Sequence, residues 1–153
     1  MASEDVTAAG EGASDAGVAY TLVGRLDDEA PAKVDGVGFV TGASGRWTLE
    51  WWVRDADRWR RPSSEASIRQ RRLGPGPVVE TALRVSGGDV VARVHPAPLR
   101  DRSPGADRAT VVELENLAST PVAIAFVLRG RVGAGRIGFD IAETAIMVNG
   151  QGV

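Results

Sequence analysis

From residue 18 to the end, short β-branched and aromatic runs recur, broken by Gly, Pro, Asp and Ser. No stretch holds an apolar period of 3.6 residues over three turns, so no helix is expected. The pattern predicts strands at 18–24, 37–41, 46–54, 66–71, 77–85, 89–95, 109–115, 121–129, 136–141 and 144–148. Their number and spacing suit an all-β fold, a two-layer antiparallel β-sandwich spanning residues 18–153. Segments 25–36 and 96–108 read as loops, the second because Pro96, Pro98, Ser103, Pro104 and Gly105 interrupt any ladder.

Two pairings can be proposed from the pattern alone. Val79 to Val85 and Val90 to His95 flank Gly87-Gly88, whose glycines tolerate the positive φ of a tight hairpin. Pairing Val85 with Val90, Leu83 with Ala92 and Thr81 with Val94 leaves one face apolar, while Glu80, Arg84, Arg93 and His95 occupy the other. A second hairpin would join 110–115 to 121–128 through Asn116 to Thr120, with Leu114 opposite Val122 and Val112 opposite Ile124. Strand 121–128 is apolar on both sides, which predicts a central strand or one covered by a partner.

Composition narrows the chemistry. The chain of 153 residues has the size of one domain and can bury a core without disulfides or a structural metal. It has no cysteine and one histidine, His95, which excludes thiol nucleophiles, thiolate clusters and multi-histidine metal cages. No cofactor is expected. The net charge of −2 conceals an asymmetry, because residues 1–17 carry Glu4, Asp5, Glu11 and Asp15 and no base, leaving +2 for the rest. That Ala-, Gly- and Ser-rich segment reads as a disordered acidic tail. Its acidic start and the lack of an apolar h-region argue against export and for the cytoplasm, and the longest apolar run, Val122 to Leu128, is far too short to span a membrane.

Few groups suggest catalysis. His95 and Glu80 could form a base and its orienting carboxylate across the hairpin, but no serine nucleophile motif accompanies them, and a solvated cross-strand pair is the simpler reading. Carboxylates for glycoside hydrolysis could come from Glu50, Asp55 and Asp57, although Asp55-Ala56-Asp57 also reads as a turn. Gly74-Pro75-Gly76-Pro77 lacks the lysine and helix of a phosphate loop and reads as a turn.

Tryptophan says more. Alternation along Arg46 to Arg54 puts Trp47, Leu49, Trp51 and Val53 on one face and Thr48, Glu50, Trp52 and Arg54 on the other. Trp52 on that polar face, with Trp59 among Arg58, Arg60 and Arg61, could form a stacking platform for a sugar ring; burial in a two-sided strand, with arginine stacked on the indole, is the competing structural reading. The run Asp57 to Arg72 holds Arg58, Arg60, Arg61, Arg69, Arg71 and Arg72 against Asp57 and Glu65, a local +4 that could meet an anion. A nucleic-acid partner is disfavoured because the whole chain is acidic and arginine supplies 17 of its 18 basic residues, so clusters arise readily.

Taken in order, Trp47-Thr48-Leu49-Glu50-Trp51-Trp52-Val53, Asp57-Arg58-Trp59, Ile68-Arg69-Gln70-Arg71, Val78-Val79-Glu80-Thr81, Gly87-Gly88-Asp89 and Val111-Val112-Glu113-Leu114-Glu115-Asn116 resemble a known family. The likeness is to the amino-terminal β-sandwich of actinobacterial proteins related to glycogen-debranching, amylo-α-1,6-glucosidase-like enzymes, over about residues 45–150. It implies a β-sandwich that precedes a helical catalytic toroid, with the catalytic acids in the toroid. No catalytic residue carries over, and the chain is expected to be a detached or shortened accessory domain rather than an enzyme. The expectations are therefore a non-catalytic packing domain, with Trp52 and Trp59 as possible glycan contacts and a helical catalytic domain or a second copy as partner. The alternatives are a module that self-associates through strand 121–128, or an arginine-rich anion binder. Fold alone does not choose among them.

Overall fold

A computed structural model describes residues 11–13, 19–26, 28–56, 58–103, 106–130, 139–142, 145–148 and 151–152. Among the described residues there are fourteen strands: β1 (Glu11–Ala13), β2 (Ala19–Val23), β3 (Ala32–Asp35), β4 (Val40–Thr41), β5 (Trp47–Asp55), β6 (Arg58–Arg60), β7 (Ile68–Arg72), β8 (Val79–Val85), β9 (Gly88–Ser103), β10 (Ala106–Asn116), β11 (Ala123–Gly130), β12 (Phe139–Ala142), β13 (Ala145–Val148) and β14 (Gln151–Gly152). The first sheet runs β1-β2-β3-β4-β5-β11 with β6 also on β5, the second β10-β9-β8-β7, and β12-β13-β14 form a third. The pairings among the described strands are antiparallel, and the first two sheets pack face to face as the alternation predicts.

The core between them follows from the period of two. Trp51 and Val53 of β5 meet Leu83 and Val85 of β8 and Val90 and Ala92 of β9, with Phe39 beside them. A second cluster joins Val23, Ala32, Val34 and Val40 to Val79 and Val94. Two polar links tie the sheets. Gln70 Nε2 donates to the Asp35 carbonyl and to Thr81 Oγ1, and Asp55 Oδ2 accepts from both the backbone and hydroxyl of Ser86. The turn after Asp35 is closed by its own carboxylate, which accepts from Val37 and Phe39. Gly38 there takes φ of 81°, and a Cβ on it would come within 2.7 Å of Thr81 Oγ1.

Several expectations are corrected. The hairpin around Gly87 has the predicted faces but not the predicted register: Val85 lies opposite Gly88, Leu83 opposite Val90 and Thr81 opposite Ala92. Gly87, at φ of 81°, lets the chain reverse with one glycine and leaves Gly88 to begin β9. The register therefore moves by two residues, a shift the face argument cannot detect. The second hairpin does not form. β10 pairs with β9 and β11 with β5, so the strands expected to be partners lie in different sheets. The cause is local: Leu117 N–H bonds the Asp89 carbonyl, Ser119 N–H the Gly87 carbonyl and Thr120 Oγ1 the Ser86 carbonyl. Those bonds pin the connection across the β8–β9 turn and carry the chain over to the other sheet.

Strand β11 is consequently at the edge of the first sheet among the described strands, not at its centre. Two segments read as loops hold strands, β3 within 25–36 and the continuation of β9 through 96–103. Beyond Val94, the last residue paired to β8, strand β9 pairs with β10 among the described strands. Alternate residues can then supply all the donors needed, which accommodates Pro96 and Pro98. In the expected acidic tail, Glu11–Ala13 pair with β2; its other residues, and residues 136–138 of the predicted strand 136–141, lie outside the described residues.

Candidate functional site

The outward face of the first sheet gathers the residues that the sequence singled out around Trp52. Cross-strand partners share a face, so Ala125 with Trp52, Ala123 and Trp59 with Arg54, and Val127 with Glu50 all lie on it. Glu50 is only 4% exposed although it faces away from the core. It is covered by the groups that bond it: Oε2 accepts from Trp52 Nε1 at 2.9 Å, and Oε1 from Arg61 Nη2 at 3.0 Å, with Arg129 Nε at 3.1 Å. The guanidinium carbons of Arg61 and Arg129 lie 5.8 and 5.5 Å from the Trp52 ring centroid. Burying a carboxylate is tolerable when charged donors surround it, and the arginines gain the face of the indole as well.

Of the two tryptophans expected to contact sugar, Trp52 thus has its N–H bonded and guanidinium groups over its ring, while Trp59 is 46% exposed beside Arg54. Both lie on the outward face, Trp59 opposite Arg54 and so diagonal to Trp52. Trp51, by contrast, is buried as the alternation predicts, its Nε1 donating to the Gly38 carbonyl.

The six arginines of the anion-binding alternative are divided. Arg61 lies on the outward face of the first sheet, Arg58 and Arg60 on the side of Asp55, and Arg69 and Arg71 on the outward face of the second. Arg58 and Arg60 pair with Glu65, Arg60 also with Asp55, Arg69 with Asp89, and Arg71 with Glu80; Arg72 is exposed at the end of β7. The run does not form one cationic face. On the second sheet, Arg69, Arg71, Arg84 and Arg93 are matched by Glu80, Asp89, Glu113 and Glu115, with Glu80 held between Arg71 and Arg93 and Arg93 also bonded to Glu115.

Those contacts correct the proposed pairing of His95 with Glu80. Glu80 stands opposite Arg93, and His95 Nε2 instead lies 3.6 Å from Glu113. Desolvation pushes the Glu80 carboxyl up, but the bonds from Arg93 and Arg71 outweigh it and hold the group below the usual carboxylate range. The Asp55 carboxyl is likewise depressed, chiefly by the Ser86 backbone N–H. Asp35 is shifted upward, mainly by burial.

Of the carboxylate pairs considered for hydrolysis, Glu50 with Asp55 fails on geometry. Glu50 and Asp55 stand on opposite faces of β5, so they cannot flank one substrate, and Asp57 lies outside the described residues. Gly74 to Pro77 forms the β7–β8 turn, closed by Leu73 N–H on the Val78 carbonyl. A cleft of about 290 Å³ lies between the Gly24–Ala32 loop and the Pro96 and Thr110 rungs, and neither outward tryptophan lines it. Among the described residues no group of three or more histidines or carboxylates could hold a metal, and no helix is long and apolar enough to cross a membrane.

Of the two placements that apolar faces on both sides allow β11, central or covered by a partner, the order of the described strands removes the first. Its core-side residues Ile124 and Phe126 pair with Val53 and Trp51, yet they are 37% and 52% exposed while their partners are buried. Leu117, in the connection that leads to β11, is also exposed. Comparison of the chain with protein-family models, curated proteins and solved structures found no match.

Proposed function

We propose that the protein is a non-catalytic packing module whose working surface is the edge strand β11, along which another chain docks. The observation that carries this reading is the exposure of Ile124 and Phe126 on an eight-residue edge strand whose single charge is Arg129. The other edges of the two sheets are blunted in the ways that prevent pairing: β7 carries Arg69, Arg71 and Arg72, β10 carries Glu113 and Glu115, and β1 has three residues. A long, flat, apolar edge left without such protection is a template for strand addition. The expected likeness to an accessory sandwich that packs against a second domain agrees with this reading, and the contacts that occupy Trp52 make a sugar platform the weaker choice.

Sedimentation across a wide concentration range tests the proposal, because an unprotected edge pairs with its own copies when no partner is supplied. The native chain is expected to self-associate reversibly and to bind the dye ANS, and Ile124→Lys is expected to suppress both while leaving the circular dichroism spectrum unchanged. A native chain that stays monomeric and binds no dye would overturn it.

A further inference from the structure

The two faces of β11 differ in chemistry, and together they specify what lies beside it. This inference rests on the docking reading above. Toward the core side β11 presents Ile124, Phe126 and Leu128; toward the outward side it presents Ala123, Ala125, Val127 and Arg129. A strand added to the edge would set its own alternate side chains in line with those two rows. On the outward side the neighbourhood is cationic. Among the described residues there, Arg54, Arg61 and Arg129 stand with the one carboxylate Glu50, which is buried beneath Arg61 and Arg129. Arg54 is exposed with no partner among the described residues. The residue directly between Arg54 and the open edge is Ala123. An added strand would lie about 10 Å from β5, two strand spacings away, and a methyl group does not stop an arginine on one and a glutamate on the other from meeting across that gap.

We propose that the segment accepted by β11 is an extended strand alternating apolar and acidic side chains, with the apolar row beside Ile124 and Phe126 and the acidic row beside Arg129 and Arg54. Charge complementarity fixes the second row, because an apolar strand with basic outward residues would bring like charges together at Arg129. A nucleic-acid strand fits less well: the Trp52 ring already carries guanidinium groups, and the core-side row offers aliphatic and phenyl groups without a cation between them.

The test uses the full chain, isotope-labelled, titrated with short peptides alternating Val with Glu or Val with Lys and followed by amide and indole N–H shifts. The Val/Glu peptide is expected to shift residues 123–130 and the Trp52 indole, to bind roughly tenfold more tightly than Val/Lys at low salt, and to lose that advantage as salt rises. Arg54→Glu, at an exposed position without a partner, is expected to reduce the preference while leaving the spectrum dispersed. Equal affinity for both peptides, with β11 shifts in each, would refute the acidic specificity and leave the docking reading standing. Shifts in β11 with neither peptide would refute the docking reading itself, and the same shifts with oligo(dT) alone would overturn the peptide assignment.

Discussion

If Phe126 belongs to a docking surface rather than to the core, replacing it should be far cheaper than its chemistry suggests. Full burial of a phenylalanine side chain contributes about 1.5–3 kcal/mol. Phe126 is 52% exposed, so the isolated chain realises roughly half, or about 1 kcal/mol. In Phe126→Lys the aliphatic stem of lysine covers part of the same surface while its ammonium stays in water, which holds the cost at or below about 1 kcal/mol. Leu83 supplies the comparison, because it is 0% exposed and Leu83→Ala should cost about 2–5 kcal/mol, including the cavity left behind. Urea unfolding followed by tryptophan fluorescence gives both values, with Trp51 in the core as an internal reporter. A Phe126→Lys chain destabilised as strongly as Leu83→Ala would refute the reasoning, since it would make β11 part of this molecule's own core.

Glu50→Ala should destabilise by about 1–3 kcal/mol in the same assay, because Arg61, Arg129 and the Trp52 N–H all lose one buried acceptor. Asp55 gives an acid limb: its folded value lies below the ordinary 3.8, so its contribution is present above that pH and disappears as pH falls through the depressed value. Glu80 has the same sign. Unfolding free energy measured from about pH 2 to 6 should therefore fall on the acid side, and Asp55→Asn should flatten the fall. Gly87→Ala should cost about 1–2 kcal/mol by thermal or urea unfolding, because φ is 81° and the new Cβ would come within 2.5 Å of Ser119 Oγ.

The sandwich was legible because alternation is a strong signal wherever one face is buried: Trp47 to Val53 and Val79 to Val94 sort inward and outward residues correctly. What alternation cannot resolve is a shift of two residues, which is why the Gly87 hairpin has the right faces and a displaced register. It is equally blind to which sheet a strand joins. Val112 and Leu114 match Val122 and Ile124 well as sequence, but the hydrogen bonds of Leu117, Ser119 and Thr120 to the β8–β9 turn decide the crossing, and they follow from no local pattern. At the candidate site the odd placement of Trp52 was readable from its parity. Its partner Arg129 was not, since it lies 77 positions away and comes alongside only through the β5–β11 pairing that the sequence assigned elsewhere. The edge position of β11 was hidden by the same error.

Amide hydrogen exchange along β11 decides whether its outer edge is open. In an open edge strand, half of the N–H groups bond the inner neighbour and the other half face water. Alternate residues from Ala123 to Gly130 are expected to exchange rapidly, while Thr48, Leu49, Val53 and Arg54 of β5, which have partners on both sides, are protected. Uniform protection along β11 in dilute, monomeric protein would show that the edge is already paired within the molecule, and would contradict a docking role.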